Sequence, residues 1–313
     1  MMVPHQGKAL LTIGTRGSPL ALAQAHETRQ RLLSAHADLA EADIAISIIK
    51  TSGDRIQDRA LSEAGGKGLF TKEIEEGLLD GSVDLAVHSM KDMPTQLPAG
   101  LIMAAYLPRE DPRDVLLAAS PTSFDDLPRG AVVGTSSLRR KAFLLARRPD
   151  LEVVNFRGNV QTRLGRLAEG RVAATFLALA GLRRLNILPG GMTVLPPSVM
   201  LPAVAQGAIG IECRENDARV LTLLKPLDDA PTRRRVEAER SLLAILDGSC
   251  RTPIAALAEL QDDGSMRLRA AIARPDGSEL LETERQGQDG VAMGQDAGDE
   301  LKRRAGPDFF NLP

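Results

Sequence analysis

Short apolar strands alternate with helical segments through the first two thirds of this chain of 313 residues. Residues 10–14 and 83–87 have the apolar composition of buried strands. The first helix is predicted to begin at Pro19, because Ser18 is a favoured N-cap and proline suits the first helical position. The alternation starts again in residues 131–179. Two such runs predict an α/β protein with two lobes, each a parallel sheet covered by helices.

The chain changes character after Pro226. A long helical segment at residues 232–246 is followed by three strand patterns and a last helix, which predicts a small α+β domain. Residues 207–213 are apolar, follow a proline-rich crossing, and are predicted to return to the sheet of the first lobe. The predicted domains are a first lobe from residues 1–107 and 202–226, a second lobe from residues 108–201, and a third domain from residues 227–313.

Composition argues against several classes of protein. The net charge is -2 and aromatic residues make up 3%, which disfavours a nucleic-acid partner. Two cysteines and four histidines without metal-ligand spacing give no support for a metal site. No apolar run reaches roughly 18 residues, the length that spans a membrane, and the N-terminus lacks the pattern of a secretory leader. We therefore expect a cytoplasmic protein with no membrane partner.

Arginine is concentrated where the predicted strands of the second lobe end. Only eight of the 39 basic residues are lysine, and residues 129–171 carry ten basic side chains against three acidic ones. Arg139, Arg140 and Arg157 follow predicted strands, where free N–H groups at helix starts favour anions. The planar guanidinium also matches carboxylate and phosphate oxygens. The pattern predicts a polyanionic ligand. Solvated helix faces are the alternative for all of these arginines, and the favoured interpretation for Arg147, Arg148, Arg166 and Arg171.

Two further residues are candidates for chemistry. Asp92 directly follows a predicted buried strand, so its carboxylate is expected at the strand end, where it could stabilise a cation or move a proton. A surface pair with Lys91 or a helix cap is the alternative. Cys250 follows a long helix on a small-residue loop where a thiol can be exposed, although a lone cysteine is more often inert. Cys213 lies in an apolar strand and is predicted to pack in the core.

Several motifs occur in a fixed order along most of the chain. They are residues 15–21 (TRGSPLA), 65–70 (GGKGLF), 87–92 (VHSMKD), 109–114 (REDPRD), 134–140 (GTSSLRR), 157–160 (RGNV), 162–163 (TR), 201–203 (LPA), 206–208 (QGA), 210–212 (GIE) and 248–250 (GSC). In this order they resemble the hydroxymethylbilane synthase family, also called the porphobilinogen deaminases. One such motif alone would be weak, but the whole ordered set is specific.

The resemblance implies a transferase of tetrapyrrole (haem and porphyrin) biosynthesis. Such an enzyme condenses four porphobilinogen molecules head to tail into hydroxymethylbilane and releases ammonia at each step. The resemblance also implies two lobes like those of periplasmic binding proteins, a third domain, and a dipyrromethane cofactor joined by a thioether to Cys250. Asp92 matches the catalytic aspartate of the family. We expect a monomer that needs no metal.

Each porphobilinogen ring brings an acetate and a propionate, which accounts for arginine at the mouths of the sheets. By resemblance, the residues besides Cys250 that contact the cofactor are Lys91, Thr135, Ser136, Arg139, Arg140 and Arg184. Those expected to contact substrate are Arg16, Ser18, Gln24, Lys67, Arg157, Arg163 and Gln206. Lys67 belongs to a loop that the family uses as a mobile lid.

The chain departs from the family pattern at two notable positions. Ala205 stands where the family has a glycine beside the crossing strand, and Glu63 stands where some members carry a lysine in the lid. Two other functions would use some of the same residues. A two-lobed anion receptor explains the lobes and arginines, but not Asp92 together with Cys250. A nucleic-acid protein using residues 129–171 conflicts with the low aromatic content and the overall charge.

Overall fold

A computed structural model of the chain describes residues 9–55, 68–120, 122–248 and 252–311. The strands are β1 (Leu11–Thr15), β2 (Ile44–Ile48), β3 (Leu85–Ser89), β4 (Leu101–Tyr106), β5 (Asp114–Ala118), β6 (Val132–Gly134), β7 (Glu152–Val154), β8 (Ala174–Ala178), β9 (Met192–Val194), β10 (Ile209–Arg214), β11 (Ile254–Leu260), β12 (Met266–Ala273) and β13 (Leu280–Gly287). The α-helices are α1 (Pro19–Ala35), α2 (Ser52–Arg55), α3 (Lys72–Leu79), α4 (Leu138–Arg147), α5 (Val160–Ala168), α6 (Leu179–Arg184), α7 (Ala218–Leu224), α8 (Ala230–Ile245) and α9 (Gly290–Ala305).

The first sheet has the strand order β2-β1-β3-β10-β4. Strand β1 pairs parallel with β2 and β3, whereas β10 runs antiparallel to both β3 and β4. The predicted return of the chain into this sheet is therefore confirmed. The expectation of a purely parallel sheet is wrong, because β10 re-enters from the crossing and runs opposite to its neighbours.

The second sheet repeats this plan with the order β7-β6-β8-β5-β9. Strand β6 is parallel to β7 and β8, while β5 is antiparallel to β8 and β9. Each five-stranded sheet thus has four strands that run in one direction and one reversed strand among them. Since the parallel strands of a sheet end at one edge, loops that follow them are brought together there, and such edges are where ligands bind in α/β folds.

The third sheet is antiparallel, with the order β11-β12-β13, and helices α8 and α9 pack against it. Its core is continuous with residues of the other two units. Met90 and Met93 of the first lobe share an apolar cluster with Leu242 of α8, and Ala255 and Leu257 of β11 belong to a cluster of the second lobe. The small α+β unit thus packs against both lobes, and the predicted α/β class with two lobes and a small third unit is confirmed.

Local sequence signals account for several element boundaries. Ser18 caps α1, since its Oγ accepts a hydrogen bond from the Ala21 amide at 3.2 Å, and Pro19 is the first helical residue. Cys213 is fully buried, as predicted, and burial raises the pKa of its thiol to about 11. Residues 51–68 have the polar, glycine-punctuated pattern of an exposed loop, but within them Ser52–Arg55 form the short helix α2. No helix in the described ranges combines the length and apolarity needed to cross a membrane.

The position that lacks the family glycine keeps a glycine-like backbone. Ala205 has a φ of 57°, in the left-handed region that side chains other than glycine rarely adopt, and it is fully buried. Its amide donates a hydrogen bond to Glu239 Oε2 at 2.6 Å. The same carboxylate forms a buried ion pair with Arg109 at 2.6 Å. These contacts hold the crossing segment in this conformation despite the added methyl group.

Candidate active site

A cavity lies at the edge of the first sheet where the parallel strands β1 and β3 end. The residues that line it are Arg16, Ser18, Leu20, Ala21, Gln24, Phe70, Thr71, Val87, His88, Ser89, Asp92 and Met93. Arg16 directly follows β1, and Asp92 follows β3 in a 3-10 turn at Met90–Asp92. Because the two strands are parallel neighbours, their carboxyl ends deliver a guanidinium and a carboxylate to one cavity.

The turn that carries Asp92 is tied to the core and to the crossing segment. Met90 is almost fully buried, and its amide donates to the Ala208 carbonyl at 3.0 Å. The Met93 amide closes the turn onto the Met90 carbonyl at 3.3 Å. Asp92 itself is half-buried, and its carboxylate forms no ion pair with any residue in the described part of the chain. The turn therefore presents a carboxylate to the cavity without neutralising it.

Other predicted residues line the same cavity. The Arg16 guanidinium lies 4.1 Å from the centre of the Phe70 ring, in a cation–π contact. Gln24 is buried, and its Nε2 donates to Ser89 Oγ at 2.9 Å. Since the Ser18 hydroxyl already caps α1, its remaining capacity is to donate a hydrogen bond to a ligand.

A second group of predicted residues converges on a buried acid, Asp114, at the start of β5. Asp114 Oδ2 accepts from Arg139 Nη2 at 2.6 Å, and Oδ1 accepts from Arg140 Nη2 at 2.7 Å and from Gln206 Nε2 at 2.9 Å. Burial alone would raise the pKa of Asp114, but the two arginines hold it well below its usual range. Two guanidinium groups face one carboxylate, so a net positive charge remains buried here.

Two arginines in this region, Arg139 and Arg163, have features that favour binding of a ligand. Arg139 Nε is buried and has no hydrogen-bond partner among the residues that the structure describes. Arg163 donates to the Gly158 carbonyl at 2.9 Å, and burial together with the charges of Arg140 and Arg157 lowers its pKa to about 10. A buried donor without a partner and a cluster of cations both favour an anionic ligand. Carboxylates of a dipyrromethane cofactor fit this chemistry.

Charges of both groups act on Lys91. Burial lowers the pKa of Lys91, Asp92 and Asp114 raise it, and Arg139 and Arg140 lower it further. The catalytic candidate and the arginine cluster are therefore within electrostatic reach of a common side chain. Sequence alone placed these residues in one site by resemblance, and the folded chain brings them to one region.

The remaining predicted residues are occupied by protein groups. Thr135 Oγ1 accepts from the Ser137 amide at 3.2 Å, and Ser136 Oγ accepts from the Phe156 amide at 3.1 Å. Arg184 bridges the lobes, because it donates to Glu27 Oε2 of α1 at 3.3 Å and to the Gly207 carbonyl at 3.0 Å. Cys250, Lys67 and Glu63 lie outside the described residues.

Two residues at the site were missed by sequence reasoning. Asp114 belongs to a recognised motif, but its partners lie at sequence separations of 25, 26 and 92 residues, so nothing local marks it. His88 lines the cavity, and its Nε2 lies 3.0 Å from Oε2 of the fully buried Glu212. Register could have revealed this pair, since Glu212 lies opposite Ala86 on the strand beside β3, two residues from His88.

Family models decide the relationship of this chain to known proteins. Residues 11–222 match the porphobilinogen deaminase dipyrromethane cofactor binding domain, and residues 233–303 match the porphobilinogen deaminase C-terminal domain. The chain belongs to the porphobilinogen deaminase family. The resemblance inferred from the ordered motifs is thereby confirmed, and with it the transferase activity of tetrapyrrole biosynthesis and the dipyrromethane cofactor.

Curated relatives agree over nearly their whole length. The porphobilinogen deaminase of Paracoccus denitrificans is 59% identical over 303 residues, which cover 96% of this chain and 96% of that protein. The chloroplastic porphobilinogen deaminase of Oryza sativa is 56% identical over 308 residues, covering 97% of this chain and 86% of that protein. Among solved structures, a periplasmic substrate-binding protein of an ABC transporter from Coxiella burnetii is 14% identical with a TM-score of 0.42, over 71% of this chain and 94% of that one.

Proposed function

We propose that this enzyme elongates a primer attached to Cys250, with Asp92 as the catalytic carboxylate. The observation that carries the proposal is the position of Asp92. It lies in a cavity with Arg16, and Lys91 beside it senses the charges of both Asp92 and the Asp114 cluster. A carboxylate without an ion-pair partner near groups that bind acids is what a condensation of acidic pyrroles requires.

In the proposed reaction the carboxylate of Asp92 has two roles, to stabilise a cation and to accept a proton. The C–N bond of the aminomethyl group of porphobilinogen, which is an ammonium at neutral pH, breaks, and the nitrogen leaves as ammonia with the bonding electrons. The remaining methylene-pyrrolenine has cationic character, which Asp92 stabilises. After the new C–C bond forms, Asp92 accepts the proton that the joined ring carbon releases. When bound, dipyrromethane supplies the nucleophilic pyrrole carbon.

We propose that the Asp114 cluster holds carboxylates of the cofactor. Asp114 pairs with both Arg139 and Arg140, so one positive charge of the pair is left over for a ligand. Because Asp114 already fixes both side chains, a ligand can bind without the entropic cost of ordering them. Arg139 Nε supplies a buried donor for a ligand oxygen. By resemblance, Lys91, Thr135, Ser136 and Arg184 complete this part of the site.

Substrate carboxylates are assigned to cationic groups that lie around these two clusters. Arg163 supports this assignment best, since no carboxylate in the described ranges forms an ion pair with it and other arginines crowd it. The other residues proposed to contact substrate are Arg16, Ser18, Gln24, Lys67, Arg157 and Gln206. Arginine suits this work because its fork matches the two oxygens of a carboxylate.

Intact-mass spectrometry of the isolated chain tests the primer and its elongation. The wild type is expected to exceed its sequence mass by two pyrrole units, and porphobilinogen should raise the mass in steps of one substrate less ammonia. Cys250→Ser should lack the adduct, because a hydroxyl is a weaker nucleophile than a thiolate. Cys213→Ser, the matched control in the core, should keep it. An adduct that survives Cys250→Ser, or its absence from active wild type, would contradict the proposal.

We also propose that the enzyme is a monomer and acts in the cytoplasm. Within the described ranges, the large apolar side chains that are more than half exposed are those of Leu10, Ile48, Leu79 and Leu188, which lie in separate helices, strands and loops. Isolated exposed apolar residues of this kind do not amount to an interface. Light scattering coupled to size exclusion would detect a dimer, which would contradict the monomeric assignment.

A further inference from the structure

Arg240, on helix α8 of the third unit, binds the backbone that directly follows Asp92. Its Nη2 donates to the Pro94 carbonyl at 2.6 Å, and its Nη1 donates to the Met93 carbonyl at 3.3 Å. These two carbonyls belong to the first and second residues after Asp92. One guanidinium therefore hydrogen-bonds the backbone at the C-terminal end of the turn that carries the catalytic candidate.

The charge of Arg240 is committed to these carbonyls. Within the ranges that the structure describes, no carboxylate forms an ion pair with it. Burial lowers the pKa of Arg240, although an arginine remains protonated at any physiological pH. Hydrogen bonds from a charged donor are stronger than neutral ones, and more so where water is excluded. A half-buried cation bound to two main-chain oxygens fixes backbone position rather than balancing a nearby acid.

On its N-terminal side the turn is held by the Met90 amide, which donates to the Ala208 carbonyl at 3.0 Å, and by Ser89 Oγ, which accepts from Gln24 Nε2 at 2.9 Å. On the C-terminal side of Asp92, the turn's own closing bond is the long one from the Met93 amide to the Met90 carbonyl at 3.3 Å. Met90 and Met93 pack in the apolar cluster that contains Leu242 of α8. Methionine side chains are flexible and accommodate shifts, so packing alone specifies the turn loosely. Directional bonds from Arg240 supply the precision that this packing lacks.

The preceding residue of α8 performs a parallel task. Glu239 binds Arg109 and accepts from the amides of Ala205 and Ala258 at 2.6 and 2.8 Å. Consecutive side chains of one helix thus hold the crossing segment and the turn of Asp92. The same helix ends at Ile245, five residues before Cys250 in the sequence.

We propose that Arg240 is a positioning residue for Asp92, through which helix α8 sets the location of the catalytic carboxylate relative to the third unit. The inference rests on the catalytic role proposed for Asp92. Displacing a reacting group by about 1 Å can cost on the order of 100-fold in rate. Loss of the hydrogen bonds from Arg240 is therefore expected to reduce turnover more than substrate binding.

Arg240→Gln tests this in the full chain, with Arg235→Gln as the matched control. Arg235 lies on the same helix, and its Nε donates to the Pro231 carbonyl of α8 itself at 3.0 Å. Arg240→Gln is expected to lower kcat by about 10- to 100-fold while KM for porphobilinogen and the primer mass stay near wild type. Arg235→Gln should retain wild-type kcat. Arg240→Lys keeps the charge but not the fork, so its kcat should fall between the wild type and Arg240→Gln.

A double-mutant cycle separates positioning from general damage. In an Asp92→Glu background the carboxylate is already displaced, so adding Arg240→Gln should lower kcat by a much smaller factor than in wild type. A merely structural role predicts the same factor in both backgrounds and would overturn the inference. So would a wild-type kcat in Arg240→Gln or, if that variant fails to fold, in Arg240→Lys. Normal turnover by Asp92→Asn would instead overturn the catalytic assignment on which this inference depends.

Discussion

The two acids of the site, Asp92 and Asp114, are used in opposite ways. Asp114 is fully buried, and both of its oxygens are bound by arginine or glutamine side chains of the protein. Asp92 is half-buried in a cavity, and no cation in the described part of the chain forms an ion pair with it. A carboxylate such as Asp114, whose hydrogen-bond partners all come from the protein, holds cationic side chains in place. A carboxylate such as Asp92, which lies in a cavity without an ion-pair partner from the described residues, is available to a substrate.

The arginines divide along the same line. Arg139 and Arg140 are pinned to Asp114, and each also donates to a main-chain carbonyl, that of Leu201 at 2.7 Å for Arg139 and that of Phe176 at 3.1 Å for Arg140. Arg163 forms no ion pair with an acid in the described ranges, and the charges of Arg140 and Arg157 act on it. Substitutions in the group of Asp114, Arg139 and Arg140 should therefore mainly lower the free energy of unfolding. Substitution of Arg163 should mainly weaken substrate binding.

Asp114→Asn is expected to have the largest effect on stability. Removing the charge leaves two buried arginines without their counter-ion, and breaking a buried pair in this way costs about 3–5 kcal/mol. Urea unfolding of the variant and the wild type would measure the loss. Asp126→Asn, at an exposed acid of the same lobe that accepts a hydrogen bond from Ser123 Oγ at 2.7 Å, is the control and should change little. A loss below about 1 kcal/mol for Asp114→Asn would show that the cluster does not depend on its acid.

Arg163→Leu should show the reverse pattern. Losing a charge-assisted bond to a substrate carboxylate, about 1.5–3 kcal/mol, should reduce kcat/KM for porphobilinogen by roughly 10- to 100-fold. Stability should hardly change, because the substitution also removes repulsion between neighbouring arginines. Arg147→Leu, on α4 and facing Asp125 at 3.6 Å, is the matched control. Equal kcat/KM values for the two variants would argue against a substrate role for Arg163.

Glu75→Gln tests, through the pH dependence of stability, whether a buried acid with no arginine partner among the described residues behaves oppositely to Asp114, and its expected effect on stability is smaller. Burial raises the pKa of Glu75 above its usual 4.5, whereas the arginines lower that of Asp114. The stability that Glu75 contributes is thus fully present below pH 4.5 and is lost as the pH rises through its folded value, while that from Asp114 is lost as the pH falls below its usual range. The unfolding free energy of Glu75→Gln should therefore gain on the wild type as the pH rises from 4.5 to 8. A difference independent of pH would mean that folding does not raise the pKa of Glu75.

Sequence reasoning succeeded where the deciding signals are local or ordered along the chain. Ser18 and Pro19 mark the start of α1, and the three strand patterns expected after the long helix of the third domain correspond to β11, β12 and β13. The end of β13 is hard to locate from sequence, because its exposed residues after Leu280 are polar and resemble a loop. Strand β5 was missed because it begins with a charged residue, Asp114, whose burial is explained only by partners distant in sequence.

Long-range contacts set the rest of the site. The bond from Arg240 to Pro94 joins residues 146 positions apart, and the pair of His88 with Glu212 spans 124. The order of the motifs along the chain identifies the candidate arginines. It does not show which of them are bound by Asp114 and which are available to a ligand. That distinction depends on burial and on neighbours from other elements.

The central claim is that Asp92 performs chemistry while Asp114 maintains structure, and paired measurements on Asp92→Asn test it most directly. Asparagine preserves the shape but removes the charge that stabilises the reacting cation, so kcat should fall at least about 100-fold. Its unfolding free energy should remain within about 0.5 kcal/mol of the wild type, and the primer adduct should still be found by mass. Near-normal turnover, or a loss of activity that merely follows a large loss of stability, would contradict the account.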